Sequence, residues 1–512
     1  MLKSSAENWK QAKTFCKLIP LSWQPVYNSM TNTFRQLAGI GISIVLAILV
    51  YVFFQSAFTA QQIKVLAVAT LIISLWVTGA IPMPVVALLP LIFFPIMNIA
   101  SIDATAAPYA DKIIFLFMGG FMLGLAIEKW NLHKRIALSI VQITGTSGNR
   151  IILGFILATG LLSMWLSNTA TTMMMFPIAS SVIVVMQQNG SGTGNLRYFS
   201  VCIMLAIAYS SNFGGIATII GTPPNVAYVG HLQKHYNYSF SFSNWMLLCL
   251  PLSLLLLFTL YLVMTKWLFP NKIAHHQATE RLIKSQLADM GKMSVTEKRV
   301  LIIFISTAAL WILKDLINKL QVVKLDDTMI ALMGAVALFI TPSGKKEGDG
   351  SLLKWEDTSK MAWGILILFG GGITLASQLE KAGLIGMLGN WIAAYAGNNL
   401  LLLIFLIALI SIFVSEVMSN VAQVIVFAPV IAGMADALQV NPIFLGLPMA
   451  LAASCASMLP MGTPPNAIVF ASGHLQLKDM VKTGFVMNIV CVILITLFCY
   501  LFLPFIIPSI TR

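Results

Sequence analysis

The sequence predicts an all-α polytopic membrane protein with about eleven transmembrane helices, two re-entrant hairpins and inverted-topology repeats. Three observations predict it. Of 512 residues, 58% are hydrophobic and 10% charged, with a mean hydropathy of +0.87, whereas a soluble domain carries roughly 25% charged residues. Apolar runs such as 40–54, 65–77, 247–264, 300–313 and 487–507 recur along the whole chain, and a helix needs about 20 mostly apolar residues to cross a bilayer. Finally, one polar motif occurs twice, as Ser163-Met-Trp-Leu-Ser167-Asn168-Thr169-Ala170 and Ser415-Glu-Val-Met-Ser419-Asn420-Val421-Ala422. Each copy is followed by Gly-Thr-Pro-Pro-Asn, at Gly221 to Asn225 and at Gly462 to Asn466.

Residues 1–35 read as a cytoplasmic N-terminal leader. They carry Lys3, Lys10, Lys13, Lys17 and Arg35 without a continuous apolar run, so no cleavable signal peptide is expected. The first half, 36–269, opens with three scaffold spans near 36–57, 64–81 and 83–99. A polar patch with Asp103 and Asp111, a span at 113–128 and a basic loop with Lys129, Lys134, Arg135 and Arg150 follow. A re-entrant hairpin at 151–186 holds the first motif at its centre, next to a helix at 199–229 broken by Gly214-Gly215 and Gly221–Asn225, and a span at 245–268. Residues 270–299, with Lys272, Arg281, Lys284, Lys292, Lys298 and Arg299, form a cytoplasmic connector; His275-His276 is a solvated loop pair.

The second half, 300–512, repeats the pattern. Spans at 300–318 and 327–341, a charged loop with Lys345, Lys346, Lys354 and Lys360, and a span at 362–379 precede a hairpin at 399–436 centred on Asn420. A helix at 442–470, broken at Gly462–Asn466, and a last span at 484–507 complete it.

The formal charge of +13 would suggest nucleic acid on a soluble protein. Here its location matters more, and no nucleic-acid partner is expected. With the N-terminus inside, 23 of the 31 Lys and Arg fall on cytoplasmic segments, the bias that the positive-inside rule demands. The expected setting is an inner (plasma) membrane, with the C-terminus outside. Five of the six cysteines lie in apolar stretches and none forms a Cys-x-x-Cys pair, so neither zinc nor a disulfide framework is expected.

The repeat extends beyond the motifs. At one offset of 252 residues, Gly119-Gly120 matches Gly371-Gly372, Glu128-Lys129 matches Glu380-Lys381, and Ser163, Ser167, Asn168 and Pro177 match Ser415, Ser419, Asn420 and Pro429. The Gly-Thr-Pro-Pro-Asn copies are 241 residues apart. The span before Glu128 runs inward and the one before Glu380 outward, so the repeats are inverted, as in many secondary transporters with a midplane site.

Pro223-Pro224 and Pro464-Pro465 cannot continue a helix, because proline removes a donor and clashes with the preceding turn. Irregular backbone inside hydrocarbon survives only where it is buried or lines a cavity. Freed carbonyls with Ser, Thr and Asn oxygens suit a hard cation such as sodium, and helix N-termini and freed amides suit an anion. No Lys or Arg lies in the four clusters, so bound cations are the available counter-charge for an anion. A single Ser-Asn-Thr in a membrane helix is ordinarily inter-helix glue; two copies in register with two Pro-Pro breaks point to a site. Glu416 is the one carboxylate near either tip, open to a functional or a supporting role.

No enzyme chemistry is expected. The phosphate-loop lysine is absent after Gly221, and no Ser/His/Asp set or paired carboxylates share one depth. An anion channel is the distant alternative to a carrier.

At these residues the sequence resembles the divalent anion/sodium symporter (DASS) family, the di- and tricarboxylate and sulfate carriers. The resemblance rests on Ser167-Asn168-Thr169, Gly221–Asn225, Ser419-Asn420 and Gly462–Asn466 and covers nearly the whole chain after the leader. It implies a homodimer with a fixed scaffold and an elevator-like transport domain. It implies one sodium near Ser163, Ser167, Asn168 and Gly221, and a second near Ser415, Met418, Asn420 and Gly462. The first half leaves Gly214, Gly215 and Gly221 as alternatives for the backbone ligand. Substrate carboxylates would meet Asn168, Thr169, Pro223, Asn420, Val421, Thr463 and Pro464. The implied function is import of small divalent anions, C4-dicarboxylates first, coupled to sodium; the alternatives are a sodium-independent exchanger or a sulfate or other oxyanion carrier. One departure stands out: the family's second motif is usually Ser-Asn-Thr, and position 421 is valine.

Overall fold

The computed structural model describes residues 24–510 apart from 146, 189–192, 237, 239, 272, 274–276, 322, 345–349 and 397–398. His275-His276, Lys345, Lys346, Cys16 and most of the leader therefore lie outside the described residues. The described chain is helical, with one isolated bridge between Pro342 and Ser351 and no strand. Nine helices are long and apolar enough to cross a membrane, and five apolar helices of 10–17 residues accompany them among the described residues. The protein is a multi-pass membrane protein.

Helix α1 (Gln24–Phe53) begins inside the segment assigned to the leader. It is followed by α2 (Ala60–Thr78), the short α3 (Met83–Val86) and α4 (Leu89–Ile96), and α5 (Ile102–Ala106). The first repeat continues as α6 (Lys112–Lys129), α7 (Leu132–Thr144), α8 (Gly148–Ser163), α9 (Asn168–Gln188), α10 (Thr193–Gly215), α11 (Pro223–Tyr236) and α12 (Phe242–Leu262). The connector contains α13 (Gln277–Asp289). The second repeat is α14 (Val295–Lys319), α15 (Asp327–Ile340), α16 (Trp363–Lys381), α17 (Leu384–Ala396), α18 (Leu400–Val414), α19 (Asn420–Ala437), α20 (Pro442–Ala453), α21 (Pro464–Phe470) and α22 (Leu477–Ile510).

The 252-residue offset is visible in these boundaries: α7 at Leu132–Thr144 maps onto α17 at Leu384–Ala396, residue for residue. The first stands where the sequence reads as a basic loop, and the second lies between the span at 362–379 and the hairpin at 399–436. Helix α7 places its apolar residues on one face rather than in a continuous run, the pattern of a helix half in solvent or at an interface, whereas α17 is apolar almost throughout. Basic residues of α7 tie it down: Arg135 bonds Glu297 at 2.9 Å and donates to the carbonyls of Met290 and Gly291. Glu297 itself completes the capping box that starts α14 with Ser294.

The core lies around α10, where residues from Phe199 to Gly215 are buried almost without exception. By contrast α1 exposes Ile42, Val45, Ile48, Val52 and Phe53, apolar surface suited to lipid. Gly119 and Gly371 are close-approach positions: an added Cβ would come within 2.7 Å of the Ala331 backbone and 2.2 Å of the Ala87 carbonyl oxygen. A buried ion pair joins α14 to α15, Lys314 to Asp327 at 2.9 Å. Asp327 also accepts the Phe242 N–H at 2.9 Å, which fixes the start of α12 to the same place.

Candidate functional site

Four helices start where the two motifs and the two Pro-Pro breaks stand. Helices α9 and α19 start at Asn168 and Asn420, after the tips 164–167 and 415–419. Helices α11 and α21 start at Pro223 and Pro464, after unwound segments 216–222 and 454–463. Proline is favoured in the first turn, where its missing N–H costs nothing, so each Pro-Pro pair begins a new helix after the unwound segment that follows Gly215 or Ala453. Thr463 caps α21, accepting from the Asn466 N–H at 3.4 Å.

Each tip contains one hydrogen bond in duplicate. Ser163 Oγ donates to Asn168 Oδ1 at 2.7 Å, and Ser415 Oγ donates to Asn420 Oδ1 at 2.7 Å. Both serines are fully buried while both asparagines are half-buried. Each serine is fixed behind an asparagine whose amide remains accessible. Ser415 also lies 2.6 Å from the Ala453 carbonyl, at the last residue of α20. Ser167 Oγ accepts from the Ala170 N–H at 3.2 Å and caps α9.

Each unwound segment is braced by the last residue of its Gly-Thr-Pro-Pro-Asn. Asn225 Nδ2 donates to the carbonyls of Gly215 at 3.3 Å and Thr218 at 2.8 Å. Asn466 Nδ2 donates to those of Ala456 at 3.3 Å and Leu459 at 3.1 Å, the same two positions one repeat later. Both Oδ1 atoms are buried without a hydrogen-bond partner among the described residues. The brace holds several freed carbonyls in one place, which satisfies the buried backbone and shapes the loop.

The first tip meets its own break closely. An added Cβ on Gly215 would come within 2.4 Å of Asn168 Oδ1, and one on Gly221 within 2.4 Å of the Gly215 carbonyl oxygen. Gly214 instead packs on the backbone of Gly160. Of the three glycines left open by the sequence, Gly215 stands at Asn168, Gly221 stands against Gly215, and Gly214 faces Gly160 instead.

The halves are joined by a residue that the sequence reading missed. Asn168 Nδ2 donates to Asn212 Oδ1 at 3.3 Å, and Asn212 Nδ2 donates to Thr463 Oγ1 at 3.2 Å. The first tip therefore connects through Asn212 to the second break. Asn212 is 1% exposed and sits one turn before the end of α10. The signal available was Tyr209-Ser210-Ser211-Asn212, four polar residues within an apolar span.

The remaining residues singled out in the sequence surround this network. Thr169, Pro223, Val421 and Met418 are half-buried, Pro464 is exposed, and Gly462 is buried against Glu416. Val421 follows Asn420 as Thr169 follows Asn168, so the first turn of α19 lacks the hydroxyl that α9 carries. The four segments 163–172, 209–226, 411–425 and 453–466 contain no Lys or Arg. Oxygen atoms of amides, hydroxyls and carbonyls are hard donors suited to alkali and alkaline-earth cations.

Residues 36–507 match the family described as the sodium:sulfate symporter transmembrane region. The chain is 37% identical over 475 residues to the sodium-dependent dicarboxylate transporter SdcS of Staphylococcus saprophyticus, covering 92% of each chain. It is 37% identical to the SdcS of Staphylococcus aureus USA300, covering 92% of this chain and 91% of that one. In fold it is similar to the YdaH transporter of Alcanivorax borkumensis, with a TM-score of 0.54 at 14% identity over 78% of this chain and 86% of that chain. Taken with the duplicated Ser–Asn tips and the duplicated breaks, these matches establish that the chain belongs to the sodium:sulfate symporter family, the divalent anion/sodium symporters.

Proposed function

We propose that this chain is a secondary active transporter that imports small divalent anions, C4-dicarboxylates such as succinate, malate and fumarate first among them, coupled to sodium. The observation that carries the reading is the mirrored pair Ser163–Asn168 and Ser415–Asn420, each 2.7 Å, linked through Asn212 and Thr463. It is supported by relatives named as sodium-dependent dicarboxylate transporters along 92% of the chain.

In this reading sodium enters as cargo. One ion is held by oxygens around Ser163, Ser167, Asn168 and the Gly215–Gly221 carbonyls, and a second around Ser415, Met418, Asn420 and Gly462. A dianion between the tips would meet the amides of Asn168 and Asn420, Thr169 and Thr463, with Pro223, Val421 and Pro464 closing the contact. With no basic side chain in the segments, the cations supply the positive charge. A dianion then binds well only after sodium, and the neutralised cargo crosses at a lower desolvation cost than the bare anion. Alternating access would come from the two tips and two broken helices moving as one body past the outer helices in an elevator-like step. The working unit would be a homodimer in the plasma membrane with the N-terminus cytoplasmic and the C-terminus outside.

Val421 favours one second reading, a preference for another dianion such as sulfate, since it removes a hydroxyl beside Asn420. The test is uptake of labelled succinate by proteoliposomes with and without an inward sodium gradient, with sulfate and citrate as competitors. Sodium-driven uptake displaced by unlabelled dicarboxylates is expected. Displacement by sulfate alone would shift the substrate, and uptake equal with choline and sodium would overturn the coupling.

A further inference from the structure

Glu416 is the only carboxylate in the four segments, and the transport reading leaves it without a task. It is 3% exposed. Its Oε1 accepts from the N–H groups of Ser457 and Met458, both at 2.8 Å, and from Asn488 Nδ2 at 2.7 Å. Its Oε2 accepts from the Leu459 N–H at 2.9 Å. Asn488 Oδ1 in turn accepts from Ser457 N–H at 3.1 Å, so α22 joins the same knot. Four N–H donors thus converge on its two oxygens and tie them to the unwound segment and to α22.

The mirror position shows what the carboxylate replaces. Met164 stands 252 residues before Glu416, and Thr218 stands 241 before Leu459. There the Thr218 hydroxyl donates to the Met164 carbonyl and accepts from the Gly221 N–H at 3.0 Å. The first tip has a further anchor in Trp165, stacked on Phe242 at 5.9 Å and edge-on to Phe304 at 4.9 Å. The counterpart of Trp165 is Val417, 64% exposed. The first tip thus has a neutral tie and an aromatic anchor where the second has the Glu416 carboxylate.

Glu416 also stands beside the second cation ligands. It follows Ser415, and a Cβ added to Gly462 would come within 2.8 Å of its Oε2. We propose that Glu416 is a positioning residue of the second cation site: through these hydrogen bonds it clamps the unwound segment 454–462 to the second tip, so that Asn420 and Gly462 present their oxygens together. The inference rests on the sodium-coupled reading above.

The test compares wild type with Glu416→Gln and Glu416→Asp, full chain in proteoliposomes, by initial rates of labelled succinate uptake against sodium at constant ionic strength with choline. Glu416→Gln replaces one acceptor oxygen by a donor and should raise half-saturating sodium about tenfold or more. The succinate KM at saturating sodium should stay within about twofold, and Glu416→Asp, which keeps both acceptor oxygens on a shorter stem, should fall between. A lower maximal rate or a lower reconstituted yield with an unmoved sodium constant would make Glu416 merely structural and overturn the proposal. If Glu416→Gln is not recovered as folded protein, Glu416→Asp decides, and a wild-type sodium constant in it is equally fatal. Sodium-independent uptake by wild type would instead overturn the transport reading, and this inference with it.

Discussion

Asn212 links the two halves of the site through its hydrogen bonds to Asn168 and Thr463, and its truncation probes that link. Asn212→Ala removes an acceptor of Asn168 Nδ2 at 3.3 Å and a donor to Thr463 Oγ1 at 3.2 Å. A typical hydrogen bond contributes about 0.5–1.5 kcal/mol net, so losing both costs about 1–3 kcal/mol, or about 5- to 150-fold in a binding constant. Both bonds are at the long end of the normal range, which places the expectation in the lower half of that interval. Because one bond reaches the first tip and the other the second break, the loss should be shared. Half-saturating sodium and the succinate KM should both rise in proteoliposome uptake, their combined change falling in that interval. Thermal unfolding of the purified variant checks that the fold survives. Wild-type values of both constants in a folded Asn212→Ala protein would refute the bridge.

Other substitutions test separate parts of the account. Val421→Thr restores a hydroxyl beside Asn420; a hydrogen bond to a charged group is worth about 1.5–3 kcal/mol, so the succinate KM should fall about tenfold, and an unchanged KM would mean that position 421 does not touch the substrate. Gly215→Ala places a methyl 2.4 Å from Asn168 Oδ1, too close to be accommodated without moving the amide; sodium-dependent uptake should be lost with little change in thermal stability, and retained uptake would remove Asn168 from the first cation site. Lys314→Met strands the carboxylate of Asp327 in a buried pair, which costs about 3–5 kcal/mol; folded yield should collapse and recover in the Lys314→Met, Asp327→Asn double variant, and a fully stable single variant would contradict the pairing.

Much of this was legible in the sequence because membrane insertion simplifies the physics. Long apolar runs can only be helices in hydrocarbon, and the spans at 113–128 and 362–379 return as α6 and α16 within a few residues. Proline leaves an unambiguous mark, so the unwound segments before Pro223 and Pro464 stand where the Pro-Pro pairs placed them. Less visible were α7, whose apolar residues are spread over turns, α17, whose 13 residues fall short of a span, and the start of α1 at Gln24, where hydropathy is still low. Pairings were not legible at all. Asn212 is one of the four polar residues Tyr209 to Asn212 near the end of α10, and only the fold brings it between Asn168 and Thr463. The answer for Glu416 likewise depended on three N–H groups exposed by the break more than forty residues away in sequence.

The central claim is that the two mirrored tips form one cation-dependent anion site. It is tested most directly by equilibrium binding of labelled succinate to purified wild type, Asn168→Ala and Asn420→Ala, each in sodium and in choline. The account predicts binding by wild type in sodium only, and none by either variant under any condition, although the two asparagines lie in different halves of the chain. Wild-type binding by either folded variant, or equal binding in choline, would contradict it.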